Sequence, residues 1–224
     1  SFTAPPSAAG TDVSFTYTVS DNGAPGAAQT SAAATVTFAV ASPAIYFVSS
    51  TGSSTSSCAL DVPCTLTRAV AAIGANINSH IFIVDSANHA APSSIVLNSG
   101  GGLIGQGVTA ASFDALFGIT PPAGSTARPT VGLTAPTLQA TVTANTLSHI
   151  RGLNLRPVAG ANKGITANGK SGIILTELTI NMTTNGATGN ALDFTNSSFS
   201  YLAGTGGVGG LVITATTGHG QQDH

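Results

Sequence analysis

The stretch His149-Ile150-Arg151-Gly152-Leu153-Asn154-Leu155 carries an apolar pattern that recurs further along the chain. Leu153 recurs as Leu178, since 178 − 153 = 25. Leu155 recurs as Ile180 after the same interval. Short strands stacked in successive turns of a coil have such a period, because each turn buries its inward residues only against the next turn. The repeat therefore predicts a right-handed parallel β-helix.

The composition favours a folded chain that carries little charge. Only 6% of the 224 residues are charged, against roughly a quarter in ordinary globular proteins. A net charge of −2 supplies neither the basic field that attracts nucleic acid nor an acidic array for cationic partners. Although there are 27 glycines, the hydrophobic content of 42% is too high for a chain that stays solvated. We expect one elongated domain, or one domain with a fragment, and no nucleic-acid partner.

The sequence predicts neither a membrane span nor an N-terminal signal segment. The most apolar stretch, residues 34–48, is broken by Pro43 and by Ser and Thr residues. It falls short of the roughly 20 apolar residues that a span requires. The chain begins at Ser1, without an initiating Met or a charged head before an apolar block. We expect a mature product or a fragment.

The chain has two cysteines, Cys58 and Cys64, which lie close together among loop-forming residues. No His or third Cys stands within ligand spacing, so a zinc site is not indicated. The pair predicts a local disulfide, and two reduced thiols are the alternative. A disulfide would require an oxidising compartment, which favours a secreted or cell-surface protein.

Residues 12–40 contain two segments that alternate apolar residues with Ser or Thr, which is the pattern of β-strands. The segments are residues 13–19 and 34–40, and turn-forming residues 21–26 lie between them. The sequence FTYTVSDNG followed by ATVTFAV resembles the last strands of immunoglobulin-like or cadherin-like repeats in large bacterial surface proteins. Because a complete sandwich requires about seven strands, the resemblance implies a partial immunoglobulin-like domain in residues 1–42.

A different pattern begins at residue 45. The strand-like sequence IYFVSSTG is followed by the two cysteines. A short amphipathic helix is then predicted over residues 66–73, starting at the N-cap Thr65. This order resembles the N-terminal cap of secreted right-handed β-helices of the pectate-lyase-like superfold. There, a helix closes the open end of the coil. The resemblance implies an all-β chain with a short N-terminal capping helix and a β-helix in residues 43–224.

Further strand-like segments follow the cap. Residues 108–128 interrupt them and place Phe113, Leu116 and Phe117 on one face of a predicted helix. About five or six rungs are implied, so at roughly 4.8 Å per rung the coil is about 25 Å long. The predicted strands are 81–85, 94–97, 102–107, 130–133, 138–142, 147–155, 173–182, 191–194 and 211–213.

Gly218-His219-Gly220 resembles one motif of polygalacturonases, which are glycoside hydrolases with a β-helix fold. That family also carries paired carboxylates, because inverting hydrolysis requires an acid and a base on either side of the scissile bond. Neither pair is present here, and Asp193 stands alone in Leu192-Asp193-Phe194. His219 and Asp193 are therefore weak candidates for catalysis.

Arg151 and Glu177 are the other candidates for chemistry. Polysaccharide lyases with this fold use calcium-binding acids and a basic residue that removes a proton next to a carboxylate. In this sequence the acids are spread singly. The register of the apolar repeat aligns Gly152 with Glu177 and so brings Arg151 close to Glu177. One arginine beside one glutamate predicts a surface ion pair.

Cofactor binding is not predicted. Asp21-Asn22-Gly23 and Asp61 are compatible with a calcium site at a domain junction, as in cadherin-like repeats. Single acids in such positions are ordinarily turn formers. We therefore predict no metal ligands and keep calcium as the alternative.

These observations together predict a structural or adhesive segment of a secreted bacterial cell-surface protein rather than an enzyme. Unpaired N-terminal strands predict association with other copies of the chain through β-strand pairing, giving an extracellular filament. A glycan or a host surface is a further expected partner. The alternative is a carbohydrate-active enzyme or a sugar-binding module. Against it, Trp is absent and aromatic residues make up 5% of the chain, so the usual stacking platform for sugars is missing.

Overall fold

The computed structural model describes residues 6, 12–40, 43–120, 124–125, 127–157, 163–182, 189–202, 211–214 and 221–223. Most regular structure in these residues is β. The elements are β1 (Asp12–Tyr17), β2 (Ala34–Ala39), β3 (Ile45–Ser53), α1 (Leu66–Ile73), β4 (His80–Ile83), β5 (Asn88–Val96), β6 (Gly102–Gly105), α2 (Phe113–Phe117), β7 (Thr137–Thr143), β8 (His149–Leu155), β9 (Lys163–Asn168), β10 (Ile173–Asn181), β11 (Asn190–Thr195), β12 (Phe199–Leu202), β13 (Leu211–Thr214) and β14 (Gln221–Asp223).

The strands form two sheets. β1 and β2 make an antiparallel two-stranded sheet, and within the described residues they pair only with each other. The remaining strands belong to one 12-stranded sheet. All of its strand pairs are parallel. The prediction of an all-β chain is confirmed, and its main component is a large parallel sheet.

The large sheet consists of two stacks of strands. The first stack runs in the order β3, β4, β6, β8 and β10, and both β12 and β13 pair with β10. The second stack runs β5, β7, β9, β11 and β14. From β4 to β11 the chain enters the two stacks alternately. Within that range, strands that are neighbours in a stack are separated in sequence by one strand of the other stack. The consecutive strands β7 and β8 also pair, which joins the two stacks.

The apolar repeat is confirmed as strand register between β8 and β10. Leu153 pairs with Leu178 and Leu155 pairs with Ile180. All four side chains lie in the main hydrophobic core. The second stack has different intervals, because Thr166 pairs with residue 143 and with residue 193. The interval seen between β8 and β10 is therefore local to that pair of strands.

A second apolar cluster lies on the opposite face of the first stack. Phe47, Phe82 and Ile104 are in register there, and α2 covers them with Phe113 and Phe117. The ring centroids of Phe82 and Phe113 are 5.0 Å apart, in an edge-to-face arrangement that aromatic pairs favour. The helix predicted within residues 108–128 is thus confirmed, and its apolar face packs on the sheet.

The amphipathic helix α1 begins and ends as the sequence predicts. The side chain of Thr65 accepts a hydrogen bond from the backbone N–H of Arg68 at 3.3 Å, which is the N-cap interaction. Leu66, Ala69 and Ile73 are buried in the main core. In the part of the chain that the structure describes, no helix is long and apolar enough to cross a membrane.

One sequence-based strand assignment is wrong, and three strands, β9, β12 and β14, are missed. The sequence predicts a strand at residues 130–133, but these residues form none, and Val131 instead packs partly buried against the cluster at α2. β9 is missed because its sequence, KGITAN, contains a glycine and few large apolar side chains. A Cβ at Gly164 would lie 2.5 Å from the carbonyl oxygen of Ala191 on the next strand. That close approach explains why glycine stands there.

Cys58 and Cys64 form a disulfide, with the sulfur atoms 2.06 Å apart and the Cα atoms 4.6 Å apart. The predicted pairing is confirmed. The backbone N–H of Phe47 donates to the carbonyl of Cys58 at 2.8 Å, and Val48 bridges to Cys64. The loop is therefore held against β3 by backbone contacts as well as by the disulfide.

We expect reduction of this disulfide to lower the free energy of unfolding by about 2 kcal/mol, because the loop it closes is short. The measurement is the urea midpoint with and without reductant, together with the mass after alkylation. Two alkylation equivalents should appear only after reduction. Alkylation of the native chain without reductant would contradict the prediction. A double Cys58→Ser, Cys64→Ser variant is the control and should not respond to reductant.

Candidate functional site

An outward row of the first stack places two histidines on either side of a glycine. His80 pairs with Gly102, and Gly102 pairs with His149. Because Gly102 has no side chain, the His80 ring can lie over it, and a Cβ at Gly102 would be 2.4 Å from the His80 Nδ1 atom. A third residue, Arg151, follows His149 on the same face of β8.

These three residues border a cleft of about 220 Å³ at the edge of α2. Its other walls are apolar and include Ile104, Leu116 and Phe117. The ring centroids of His80 and Phe117 are 5.3 Å apart. The cleft thus lies where the apolar cover supplied by α2 gives way to basic residues.

Arg151 and Glu177 form the ion pair that the repeat predicts. The Arg151 Nη2 atom lies 3.2 Å from Glu177 Oε2, and Glu177 Oε1 accepts a hydrogen bond from the backbone N–H of Thr109 at 2.8 Å. The prediction of a surface pair is wrong for the glutamate, whose side chain is only 7% exposed. The chain that enters the α2 segment at Thr109 covers it. Glu177 therefore serves as the buried partner that holds Arg151 in place.

Burial makes both histidines poor bases. Desolvation, followed by the nearby His149, lowers the pKa of His80 to about 4. Desolvation, followed by Arg151, also lowers the pKa of His149. Both imidazoles are therefore neutral at pH 7. The buried His80 Nδ1 and Arg151 Nε atoms have no hydrogen-bond partner within the described residues.

We expect acid to destabilise the fold through His80. Its pKa is about 4 in the folded chain, against an ordinary value of 6.5, so between these values the unfolded chain binds more protons. The free energy of unfolding then falls as the pH drops from about 6.5 to 4, by at most about 1.4 kcal/mol per pH unit. Urea midpoints at pH 7.5 and 5.0 measure the effect. His80→Gln should reduce this difference, and an unchanged difference would contradict the prediction.

The other predicted site residues lie apart from this cleft. Asp193 belongs to the second stack, where it pairs with Thr166 in register. Its Oδ2 atom lies 2.5 Å from the Nζ atom of Lys163. Neither residue lines the cleft. His219, the remaining candidate, lies outside the described residues.

A second polar cluster, which the sequence did not reveal, is centred on Asp85. Its carboxylate lies 2.7 Å from His89 Nε2 and accepts hydrogen bonds from Ser49 Oγ at 3.0 Å and from the N–H of Ser50 at 2.7 Å. Burial raises the pKa of Asp85, but hydrogen bonds from Ser50, His89 and the backbone N–H of Ala87 outweigh it and lower the pKa to about 2. In a nucleophilic triad the histidine stands between serine and aspartate. Here the aspartate is in the middle, so the cluster links β3 to β5 without activating the serine.

The residues considered for calcium are turn residues, and Asp61 lies in a turn of the disulfide loop. Asp21 Oδ1 accepts hydrogen bonds from the N–H groups of Gly23 and Gln29, both at 2.9 Å. The backbone hydrogen bonds from Gln29 and Gly23 lower the pKa of Asp21. Among the described residues no three His, Cys, Asp or Glu side chains are grouped so that they could hold a metal ion.

Sequence reasoning missed His80, Gly102 and the role of His149. They are separated by 22 and 47 residues, since 102 − 80 = 22 and 149 − 102 = 47. These intervals differ from each other and from the interval between Leu153 and Leu178. To align these residues from the sequence, one would have needed the interval between paired residues for each pair of adjacent strands, because the intervals are unequal.

Comparisons of the chain with protein-family models, with curated proteins and with solved structures found no match. Function must therefore be inferred from the chemistry of the chain itself. In the described residues, that chemistry includes the cleft lined by His80, His149 and Arg151 and several ion pairs.

Proposed function

We propose that this chain is a structural and adhesive segment of a secreted bacterial cell-surface protein. In this proposal residues 43–224 form a right-handed parallel β-helix capped by α1, and residues 1–42 are the end of an immunoglobulin-like repeat. The alternation of strands between two parallel stacks supports the coil. The disulfide supports an oxidising compartment such as the cell exterior.

The observation that carries the proposal is the isolation of the carboxylates. Asp85 contacts His89, Asp114 contacts Arg128, Glu177 contacts Arg151 and Asp193 contacts Lys163. Each of these acids is thus bound to its own base. Hydrolysis of a glycosidic bond requires two carboxylates at a defined separation, and lyase chemistry requires a cation site near a base. Acids held in separate ion pairs support a scaffold rather than a catalyst.

Self-association is proposed for the sheet of β1 and β2. A lone two-stranded sheet is only marginally stable in water. Phe15 and Tyr17 lie on one face of it and are 52% and 48% exposed. The outer strand edges offer backbone groups for pairing with another chain. A second copy of this chain is the proposed partner, and repeated pairing would give a filament.

A panel of acidic and neutral glycans tests the absence of catalysis. We expect no release of reducing or unsaturated ends from pectin, alginate and related polymers. Turnover by the unmodified chain that is lost in Glu177→Gln or His219→Ala would overturn the proposal. Asp12→Asn is the matched control, because Asp12 is exposed on the N-terminal sheet.

Light scattering tests the proposed assembly. We expect the full chain to form larger species as concentration rises, and a chain lacking residues 1–41 to remain monomeric. Persistent polymers after the deletion, or a monomeric full chain at all concentrations, would each contradict the proposal. A Phe15→Ser, Tyr17→Ser variant tests whether the exposed face of the sheet is required.

A further inference from the structure

We propose that the cleft bordered by His80, His149 and Arg151 binds a small carboxylate that has an apolar body. Nothing in the proposed structural role assigns a ligand to this cleft. The inference rests on the cleft's two unlike walls, one formed by His80, His149 and Arg151 and the other by apolar side chains.

The basic wall is suited to an anion. Arg151 keeps a permanent positive charge and lines the cleft. His80 and His149 offer ring nitrogens on either side of Gly102. A neutral imidazole donates one hydrogen bond, and a protonated one donates two while adding charge. A carboxylate in the cleft would thus lie beside two imidazoles and at least one full positive charge.

The surrounding charges leave the cleft open to an anion. The acidic groups on the elements packed around the histidines are Glu177 on β10 and Asp114 on α2. Glu177 Oε2 contacts Arg151, and Asp114 Oδ1 contacts Arg128 Nε at 3.0 Å. Both carboxylates are thus engaged with arginines. A metal ion is a poorer occupant, because only two imidazoles are present and Arg151 would repel it.

The apolar wall defines the rest of the ligand. Phe117 and Leu116 of α2 face the cleft together with Ile104 of β6. The volume of about 220 Å³ is below the roughly 300–1,000 Å³ of sites for drug-sized ligands. The occupant should therefore be small, with a ring or short aliphatic body against Phe117 and its carboxylate against the histidines.

Binding should be coupled to protonation. A bound carboxylate favours the charged form of an adjacent imidazole and so raises its pKa. The affinity then increases as the pH falls, by up to about tenfold per pH unit for each proton taken up. Because Arg151 is charged throughout, weak binding should remain at neutral pH.

Calorimetric or NMR titration of the full chain with benzoate tests the proposal. We expect saturable binding at pH 5.5 that is at least tenfold weaker at pH 7.5. Benzamide, which has the ring without the charge, and acetate, which has the charge without the ring, should each bind at least tenfold more weakly than benzoate at pH 5.5. Equal affinity for benzamide or acetate would overturn the proposal, and so would the absence of benzoate binding at 20 mM.

Two variants locate the site. His149→Gln keeps the size of a half-buried side chain and should remove most of the pH dependence. Gly102→Ala places a methyl group 2.4 Å from the present position of His80 Nδ1, so the ring must move from its place in the wall of the cleft, and binding should be abolished. Gly26→Ala is the matched control, since nothing lies within 4 Å of its added Cβ. Unchanged benzoate binding in His149→Gln at both pH values would overturn the proposal even if Gly102→Ala does not fold.

The result of the benzoate titration is independent of the tests of the proposed structural role. A failure of benzoate binding leaves the glycan and light-scattering results unaffected. Turnover of a glycan would likewise overturn the structural role without deciding whether the cleft binds a carboxylate.

Discussion

Gly152→Ala should lower the free energy of unfolding by about 3–5 kcal/mol, whereas Gly169→Ala should lower it by only about 1–2 kcal/mol. Both glycines have a positive φ, +67° and +63°, and a left-handed conformation costs an alanine about 1–2 kcal/mol. They differ in their surroundings. An added Cβ at Gly152 would lie 2.5 Å from the backbone nitrogen of Val108, but nothing lies within 4 Å of one at Gly169.

The additional loss at Gly152 has a steric cause. Its added Cβ would also lie 2.8 Å from the carbonyl oxygen of Gly105. Both contacts are with backbone atoms, which cannot rotate away as a side-chain end can. Relief requires β8 to move from the turn that follows β6, and such overpacking costs a further 1–3 kcal/mol or so.

Urea unfolding of the two variants measures this difference. Because the φ values are nearly equal, subtraction of the Gly169→Ala effect isolates the steric part. Equal losses in the two variants would show that β8 does not approach the turn after β6 as closely as described. A Gly152→Ala chain that fails to fold would agree with the expectation, provided that Gly169→Ala folds.

Phe82→Ala should also lower the free energy of unfolding by about 3–5 kcal/mol, the usual range for a buried phenylalanine. Phe82 is fully buried. Its ring contacts Phe113 at 5.0 Å and Phe117 at 6.2 Å between centroids. Removal of the ring would leave α2 without its central contact on β4. We therefore expect residues 108–120 to become susceptible to protease before the rest of the chain.

Phe15→Ala is the control for this prediction. Phe15 is 52% exposed and stacks on Phe38 at 5.9 Å in the N-terminal sheet. Its loss should cost less than about 1 kcal/mol, because little apolar area returns to water. Similar losses in both variants, or protease cleavage of Phe82→Ala that begins elsewhere, would contradict the role assigned to Phe82.

The features that could be predicted from the sequence depend on neighbouring residues. α1 follows from its apolar spacing and the Thr65 cap, and the disulfide follows from two cysteines in one loop. The strand pair of β8 and β10 follows from apolar alternation that recurs at a fixed interval. Each pattern is confined to a short stretch of chain, where spacing alone restricts the conformation.

The features that could not be predicted depend on contacts between residues that are far apart in the sequence. β9 carries little apolar volume, and its glycine is explained only by the approach of Ala191 on β11. Residues 130–133 alternate like a strand, yet Val131 packs against the cluster at α2 instead. Packing partners outweighed local propensity at both places, as they often do in sheets.

The sequence by itself determined an all-β chain with an apolar repeat, an N-terminal helix and an ion pair between Arg151 and Glu177. Only the tertiary structure decided that Glu177 is buried, because the chain at Thr109 crosses over it. The cleft is likewise a tertiary feature. Unequal turn lengths set the register that brings His80, Gly102 and His149 into one row, and α2 supplies the apolar wall beside them.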